Sequence, residues 1–229
     1  MSTTQSLHAP NPAPNSRAPR MGRHAALLFA VAISIAGLLS SPKAYALVEL
    51  KGGYSSHTVA PSSLDGAFTG VAKINQLQSL NADIMANVPL MPVGLGLRHE
   101  MLSFKGDQGG TSNKIDWKRT SVIVNKRFID TGMYLGPIAT FAMTNDFKYS
   151  ITSGNVTTNY KAEAQLNGTL GVEAGIKLLL ITLGAEVGYM HAPLGNLKTD
   201  AGVEYLSNGQ KVDVTMSGPY YRGTIGFKF

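Results

Sequence analysis

Residues 160–177 read YKAEAQLNGTLGVEAGIK, and polar and apolar positions alternate through the whole stretch. The odd-numbered positions hold all four charges, Lys161, Glu163, Glu173 and Lys177, while the even-numbered positions hold the apolar side chains. A helix would spread these charges around its axis, whereas a strand places them on one face. The pattern therefore predicts a β-strand about 60 Å long with one apolar and one polar face.

The same alternation recurs along the rest of the chain and predicts seven further strands, at residues 47–57, 77–88, 93–105, 115–128, 133–152, 180–192 and 210–229. Segments rich in Gly, Pro, Asn and Ser predict long loops at residues 58–76, 106–114 and 193–209. The connections at residues 89–92 and 129–132 are short. Eight strands joined in chain order indicate an all-β, antiparallel, up-and-down architecture.

Apolar positions match across three of the predicted hairpins when each has a four-residue turn. The matched pairs are Val88 with Val93, Phe128 with Met133, and Ile176 with Ile181. Between the fifth and sixth strands, Gly154-Asn155 predicts a two-residue turn that places Tyr149 opposite Tyr160. These matches predict the register of the sheet.

The first 46 residues have the features of an export signal that follows a polar N-terminal extension. Arg23 and His24 precede an uncharged run from Ala25 to Leu39, which is followed by the small-residue motif Ala44-Tyr45-Ala46. We expect a signal peptide cleaved after Ala46 rather than a retained anchor, because the apolar run is shorter than the roughly 20 residues that a membrane helix needs. Met21 is an alternative start to Met1. Residues 47–229 are then the mature domain.

A sheet with one apolar face suits either a secreted β-sandwich or a membrane barrel. The predicted export signal and the aromatic end of the chain, Phe227-Lys228-Phe229, favour the barrel. In these features the chain resembles the small eight-stranded outer-membrane barrels of Gram-negative bacteria, the OmpA and OmpX type. The resemblance implies an eight-stranded transmembrane β-barrel in the outer membrane, surrounded by lipid. It also implies that the barrel-assembly machinery recognises Phe229.

A barrel would turn the polar face of each strand towards a lumen that eight strands leave just wide enough for side chains. The predicted lumen charge network is Asp83, Arg98, Glu100, Arg119, Glu163, Glu173, Glu186 and Arg222, and the inward set also includes Glu49, Lys51 and Lys177. Two interpretations follow. The charges either pair into a plug or exchange partners along a narrow ion path.

The fifth and sixth strands are about 20 residues long, and a tilted strand needs only about 10 to cross a membrane. Their ends should therefore project as a hairpin. The predicted partner contact on this hairpin is an aromatic and apolar face formed by Phe147, Tyr149, Ile151 and Tyr160. The alternative is that loops 58–76 and 193–209 cover this face. Tyrosines at the membrane boundaries are expected at Tyr54, Tyr134, Tyr189 and Tyr221.

The sequence predicts no catalytic residues, no cofactor and no metal. His57 and His191 lie near strand ends and His99 lies in the third strand, but no further ligands accompany them at fixed spacing. The net charge is +6 for the whole chain and +2 for residues 47–229, so the basic balance does not indicate a nucleic-acid partner. We expect a non-enzymatic surface protein, structural or adhesive, that binds an extracellular protein or other surface ligand. A narrow pore or a channel for small hydrophobic solutes is the alternative, and an outer-membrane enzyme comes third.

Overall fold

The structure is a computed structural model, and it describes residues 47–87, 93–162 and 165–229. The predicted extension and signal peptide, the turn between Val88 and Val93, and Glu163 lie outside these residues. The signal peptide, its cleavage after Ala46 and the choice between Met1 and Met21 remain predictions.

Most of the described residues form β-strands. In chain order these are β1 (Leu47–Thr58), β2 (Gln76–Asn87), β3 (Gly94–Gln108), β4 (Thr111–Asn125), β5 (Ile129–Asp130), β6 (Met133–Ser153), β7 (Val156–Ala162), β8 (Gly168–Leu178), β9 (Ile181–His191), β10 (Pro193–Thr199), β11 (Leu206–Ser207), β12 (Gln210–Lys211), β13 (Asp213–Thr215) and β14 (Gly218–Lys228). A short helix, α1 (Ser62–Ala67), follows β1. Within the described part of the chain, no helix is long and apolar enough to cross a membrane.

Eight of these strands close into a barrel. Antiparallel pairing runs around the ring in the order β1, β2, β3, β4, β6, β8, β9 and β14, and β14 pairs back onto β1. Closure leaves no unpaired edge around the ring, which a membrane requires because lipid offers no hydrogen bonds. The predicted eight-stranded antiparallel barrel is confirmed.

The outer wall of the barrel is apolar. Its exposed apolar side chains, which we call the belt, are Leu50, Tyr54, Leu80, Ile84, Leu95, Leu135, Phe141, Leu170, Val172, Ile176, Leu183, Val187, Tyr189, Tyr221, Ile225 and Phe227. The charged side chains that alternate with them are buried in the lumen. This inside-out arrangement is that of a transmembrane barrel, whose outer face contacts lipid.

The predicted long strand at residues 160–177 is two strands, β7 and β8, because the ladder breaks between Ala162 and Gly168. The break also changes which face is outside. Leu170 is exposed to the membrane side, as predicted, whereas Tyr160, at another even-numbered position, is buried. A register shift in β6 opposite Thr120 and Ser121 has the same effect, so Phe141 faces outward and Phe147 faces inward.

Beyond these two breaks, the strands continue into a folded end of the molecule, which we call the head (residues 59–75, 102–118, 145–162 and 192–217). Its sheet extends from β4 through β6, β7 and β10 to β13. Two predicted loops are therefore largely strand. Residues 193–199 form β10, and β3 and β4 continue to a tight turn at Gly109-Gly110, where both glycines have positive φ. Glycine allows this turn because it lacks a Cβ.

The predicted registers are partly correct. The two-residue turn at Gly154-Asn155 and the pairing of Tyr149 with Tyr160 are confirmed. Ile176, however, pairs with Leu183 rather than Ile181, across a two-residue turn at Leu179-Leu180. The pairing of β4 with β6 is likewise shifted by two residues from the predicted one. A shift of two keeps every side chain on its face, so alternation alone does not distinguish these registers.

Candidate functional site

The lumen contains three groups of paired charges, and the first lies at the end of the barrel where β1 begins and β14 ends. Lys51 Nζ lies 3.2 Å from Glu173 and 3.6 Å from Glu49. Arg127 donates hydrogen bonds of 3.0 Å to the same two carboxylates, and its guanidinium lies over the Tyr134 ring. Two acids and two bases therefore form a neutral group. Arg127 lies inside the predicted strand at residues 115–128, two residues after Asn125 on the polar face, but the predicted network does not include it; in the structure it follows the end of β4.

The second group joins four strands across the middle of the lumen. Arg98 donates bidentate hydrogen bonds to Asp83, at 3.0 and 3.2 Å, and to Glu186, at 3.1 and 2.9 Å. Arg222 contacts the same carboxylates at 2.9 and 2.6 Å. Tyr220 donates a further hydrogen bond of 2.5 Å to Glu186. This group also has two positive and two negative charges.

The third group lies next to the head. Arg119 Nε is 2.6 Å from a Glu100 carboxylate oxygen, and both side chains are buried. Nearby, His57 is within 3.0 Å of the Ser55 hydroxyl and stacks on Tyr220. These contacts place His57 inside the wall rather than at an exposed rim.

Each of the three groups is neutral, so the described side chains that form them add no net charge to the lumen. The structure brings seven of the eight residues of the predicted network into these groups, and the eighth, Glu163, lies outside the described residues. Sequence alternation identified the inward face but did not show which acid meets which base. In the register, Glu173 lies opposite Glu186, and each carboxylate is bound by a different arginine.

A hydrophobic core in the head covers the lumen. Three residues of the ring, Leu77, Met190 and Tyr220, contribute to this core. The head contributes Val59, Leu64, Ile74, Leu102, Ile115, Trp117, Phe147, Tyr149, Tyr160, Ala192, Leu194, Leu197, Val212, Val214 and Met216. Helix α1 contributes Leu64 to this core, and Phe68 stacks on Tyr205 above it. The head is thus a packed structure and not a set of open loops.

This core corrects the predicted partner contact. Phe147, Tyr149 and Tyr160 are buried, and Ile151 packs against them half-buried, so they form no exposed aromatic face. Burial raises the pKa of the Tyr149 hydroxyl, to which Asn113 donates a hydrogen bond of 3.4 Å. The alternative prediction, in which loops cover this face, matches the structure. Residues 59–75 and the segment that follows β9 provide the cover.

The outward face of the head is polar. On the β6–β7 hairpin, Lys148 lies opposite Lys161. Asp146 pairs with Lys148 at 3.3 Å and Asp200 pairs with Lys161 at 2.9 Å, which offsets the repulsion between the two lysines. Towards the tip, hydroxyl and amide side chains pair across the strands, as Ser150 does with Asn159 at 2.8 Å. This surface combines alternating charges with hydroxyl groups and exposes few large apolar side chains.

Three of the four predicted boundary tyrosines lie on the outer wall. Tyr54, Tyr189 and Tyr221 are exposed, whereas Tyr134 is buried in the lumen, where it contacts Arg127. The expected boundary position of Tyr134 is wrong, because Tyr134 lies between the outward-facing Met133 and Leu135, and alternation along β6 turns it into the lumen. Phe229 is exposed, and its N–H donates to the carbonyl of Val48. Recognition of Phe229 by the assembly machinery remains a prediction.

The histidines do not assemble into a site. His57 is buried, whereas His99 and His191 are exposed on the outer side of the wall. Among the described residues, no group of three or more His, Asp or Glu side chains is arranged to hold a metal ion.

No protein-family model and no curated protein matches the sequence. Among solved structures, a major outer membrane protein from Thermus thermophilus matches with a TM-score of 0.51 and 14% identity, over 80% of this chain and 99% of that chain. Ail, the attachment invasion locus protein of Yersinia pestis, matches with a TM-score of 0.48 and 12% identity, over 80% and 99% of the two chains. OprG from Pseudomonas aeruginosa matches with a TM-score of 0.43 and 14% identity, over 80% and 96%.

Identities this low bear on the fold alone, and here the fold has its own physical support. The ring is closed, its outer wall is an apolar belt, and its charges are paired inside. Closed barrels of this kind are the transmembrane β-structures of outer membranes. The chain is therefore a small, eight-stranded outer-membrane β-barrel protein.

Proposed function

We propose that this protein is a non-enzymatic surface protein, structural or adhesive, that uses the outward face of its head to bind an extracellular protein or other surface ligand. The observation that carries the proposal is the filled lumen, in which three neutral groups of charges lie beneath an apolar core. In a barrel closed in this way, the polar groups that a ligand can reach lie on the outer surface of the protein. The longer connections of bacterial barrels face outward, which assigns the head to the cell surface.

The packing of the head supports binding by a preformed surface. Trp117 and Tyr149 have no exposed area, and α1 contributes Leu64 to the same core. A surface held by such a core loses little conformational entropy when it binds, which favours affinity. The paired charges and hydroxyls on the β6–β7 hairpin suit a polar partner, because each already has a neighbour that keeps it oriented.

The narrow pore has less support. An ion that crossed the lumen would have to separate Arg98 from two carboxylates and then pass the head core. Separating a buried ion pair leaves an uncompensated charge, at a cost of about 3–5 kcal/mol.

Single-channel conductance in a planar lipid bilayer tests the closed lumen. The full chain is expressed in a Gram-negative host, purified from its outer membrane and checked for folding by its mobility on unheated gels. We expect a silent bilayer. Discrete steps whose size changes in Arg98→Gln but not in the surface control Lys211→Gln would overturn the proposal in favour of a pore.

Binding of whole cells to immobilised extracellular proteins and glycans tests the head. Cells that carry the protein should bind at least one of these surfaces better than cells without it. Replacing Lys148 and Lys161 by alanine should reduce that binding, whereas Lys126→Ala, at the opposite end of the barrel, should not. If the protein adds no binding to any surface, the adhesive role is wrong and only the structural role remains.

A further inference from the structure

A polar pocket lies where β2 and β3 of the ring meet the head. It has a volume of about 440 Å³, which is within the range of small-ligand sites. Asn75, Gln76 and Gln78 contribute amide groups to its lining, and Ser103 contributes a hydroxyl. Phe104 lines the pocket as well and packs against the head core, which holds its ring in place. Among the described residues, no Leu, Ile, Val or Met lines this pocket.

Most of these polar groups are available to a ligand. Asn75, Gln78 and Ser103 are exposed, and within the described part of the chain their side chains make no hydrogen bond. Gln76 is exposed too, although its amide nitrogen donates a hydrogen bond of 2.5 Å to Ser56. Amides and hydroxyls both donate and accept hydrogen bonds. A ligand rich in groups that also do both therefore fits the pocket.

Two lysines also line the pocket, and each has an acid beside it. Lys105 lies opposite Lys114 in the register. Lys114 pairs with Asp116 at 2.7 Å, and Lys105 lies 4.0 Å from Asp107. These acids offset the charge of the lysines, so the pocket has no surplus charge that would select an anion. The lysine N–H groups still serve as hydrogen-bond donors.

The register continues the pocket into a polar row across the sheet of the head. Lys114 lies opposite Ser150, which in turn lies opposite Asn159, so the three point to the same face. Neighbouring strands are about 4.8 Å apart, and the row therefore extends about 10 Å beyond Lys114. Lys148 and Lys161 lie opposite each other in the next row. A ligand longer than one ring thus has polar partners from the pocket to the β6–β7 hairpin.

We infer that this pocket binds a neutral sugar unit of an extracellular oligosaccharide, whose next units lie along the polar row. A sugar ring has hydroxyl groups that both donate and accept hydrogen bonds and a C–H face that is apolar. It therefore matches the amides of the pocket and the ring of Phe104. A protein partner fits less well, because the centre of a protein interface is rich in apolar and aromatic side chains and poor in lysine. The inference names the ligand of the proposed adhesive surface and rests on that function.

Binding of whole cells to glycans tests the inference. Cells of a Gram-negative host that carry the full chain are applied to immobilised neutral oligosaccharides, to sialylated or sulfated ones, and to deglycosylated extracellular proteins. We expect binding to at least one neutral oligosaccharide, and inhibition by the same oligosaccharide in solution. Replacing Gln78 and Ser103, which lie opposite each other, by alanine should weaken this binding about tenfold through the loss of two hydrogen bonds. The control replaces Gln210 and Ser207, an opposite pair on β11 and β12, and should bind normally.

Several results would overturn the inference. Binding to deglycosylated proteins but to no neutral oligosaccharide would overturn it and leave the adhesive function standing, whereas no binding to any surface would refute both. A requirement for sialylated or sulfated units, or equal binding by the two double variants, would also exclude a neutral sugar in this pocket. If the core oligosaccharide released from the host's own lipopolysaccharide competes equally well, the ligand is the cell's own glycolipid. Gln78 and Ser103 are exposed, so their replacement should not prevent folding, and gel mobility checks this.

Discussion

Replacing Arg98 should destabilise the barrel more than any single exposed charge would. Arg98 makes four hydrogen bonds to Asp83 and Glu186, with donor to acceptor distances of 2.9 to 3.2 Å. In Arg98→Met these carboxylates keep only Arg222 as a cationic partner, so the middle group changes from neutral to a net charge of −1. An uncompensated buried charge costs about 3–5 kcal/mol, and we expect a loss of that size in the free energy of unfolding.

A second replacement separates charge imbalance from lost packing. In Arg98→Met with Asp83→Leu, Glu186 still pairs with Arg222 at 2.6 Å, so the group is neutral again. We expect the double variant to be more stable than the Arg98→Met single variant by at least about 1 kcal/mol. Lys211→Met, on the exposed surface, serves as the matched control.

Urea unfolding in lipid vesicles measures these differences. The chain has one tryptophan, Trp117, which is buried in the head core, so its fluorescence reports unfolding of the head. Gel mobility without heating reports the barrel in the same samples. A loss below about 1 kcal/mol for Arg98→Met, or a double variant at least as unstable as the sum of the single variants, would refute the view that paired charges hold the lumen closed.

Two further predictions concern stability, the first where the ring meets the head and the second in the head. Gly218→Ala, at the start of β14, should destabilise the protein by about 1–3 kcal/mol, because the new Cβ would collide with the carbonyl oxygen of Thr58. Gly52→Ala, which has open space around it, should be neutral in the same urea assay. The stability of the head should also fall at alkaline pH. Burial raises the pKa of Tyr149 above its unfolded value of about 10, so the folded state binds this proton more tightly, and the resulting stability is present below pH 10 and lost as the pH rises through the folded pKa. The free energy of unfolding measured from pH 9 upward should therefore fall less steeply in Tyr149→Phe, and parallel curves would contradict the assignment.

Alternation of polar and apolar residues was sufficient to predict the strands of the barrel and the face that each side chain occupies. Leu170 faces outward and Glu173 faces the lumen, as predicted, because each strand of the ring separates lipid from a polar interior. The same reasoning found Asp83, Arg98, Glu186 and Arg222 on one face, although these residues are far apart in the chain. The predicted register of Val88 with Val93 also places Asp83 opposite Arg98, as observed. The contacts of Arg98 with Glu186 and of Arg222 with Asp83 were not predictable, because they depend on which strands meet across the lumen.

Alternation failed where the chain leaves the membrane. The predicted exposed face at Phe147, Tyr149 and Tyr160 is the inside of the head core. An apolar side chain is equally stable against lipid and against a packed interior, so the pattern carries no sign of which one it meets. The apolar side chains of the head face inward because of the register shift in β6 and the break after Ala162. Neither feature is visible in the alternation of polar and apolar residues.

The sequence by itself determined the number of ring strands and their polar and apolar faces, because these follow from a period of two repeated along one chain. It also indicated that the apolar face contacts membrane lipid. Only the tertiary structure decided which charges pair across the lumen and that a packed core closes the head. These features depend on register and on contacts between distant strands. A shift of two residues leaves the sequence pattern unchanged but alters every partner across the sheet.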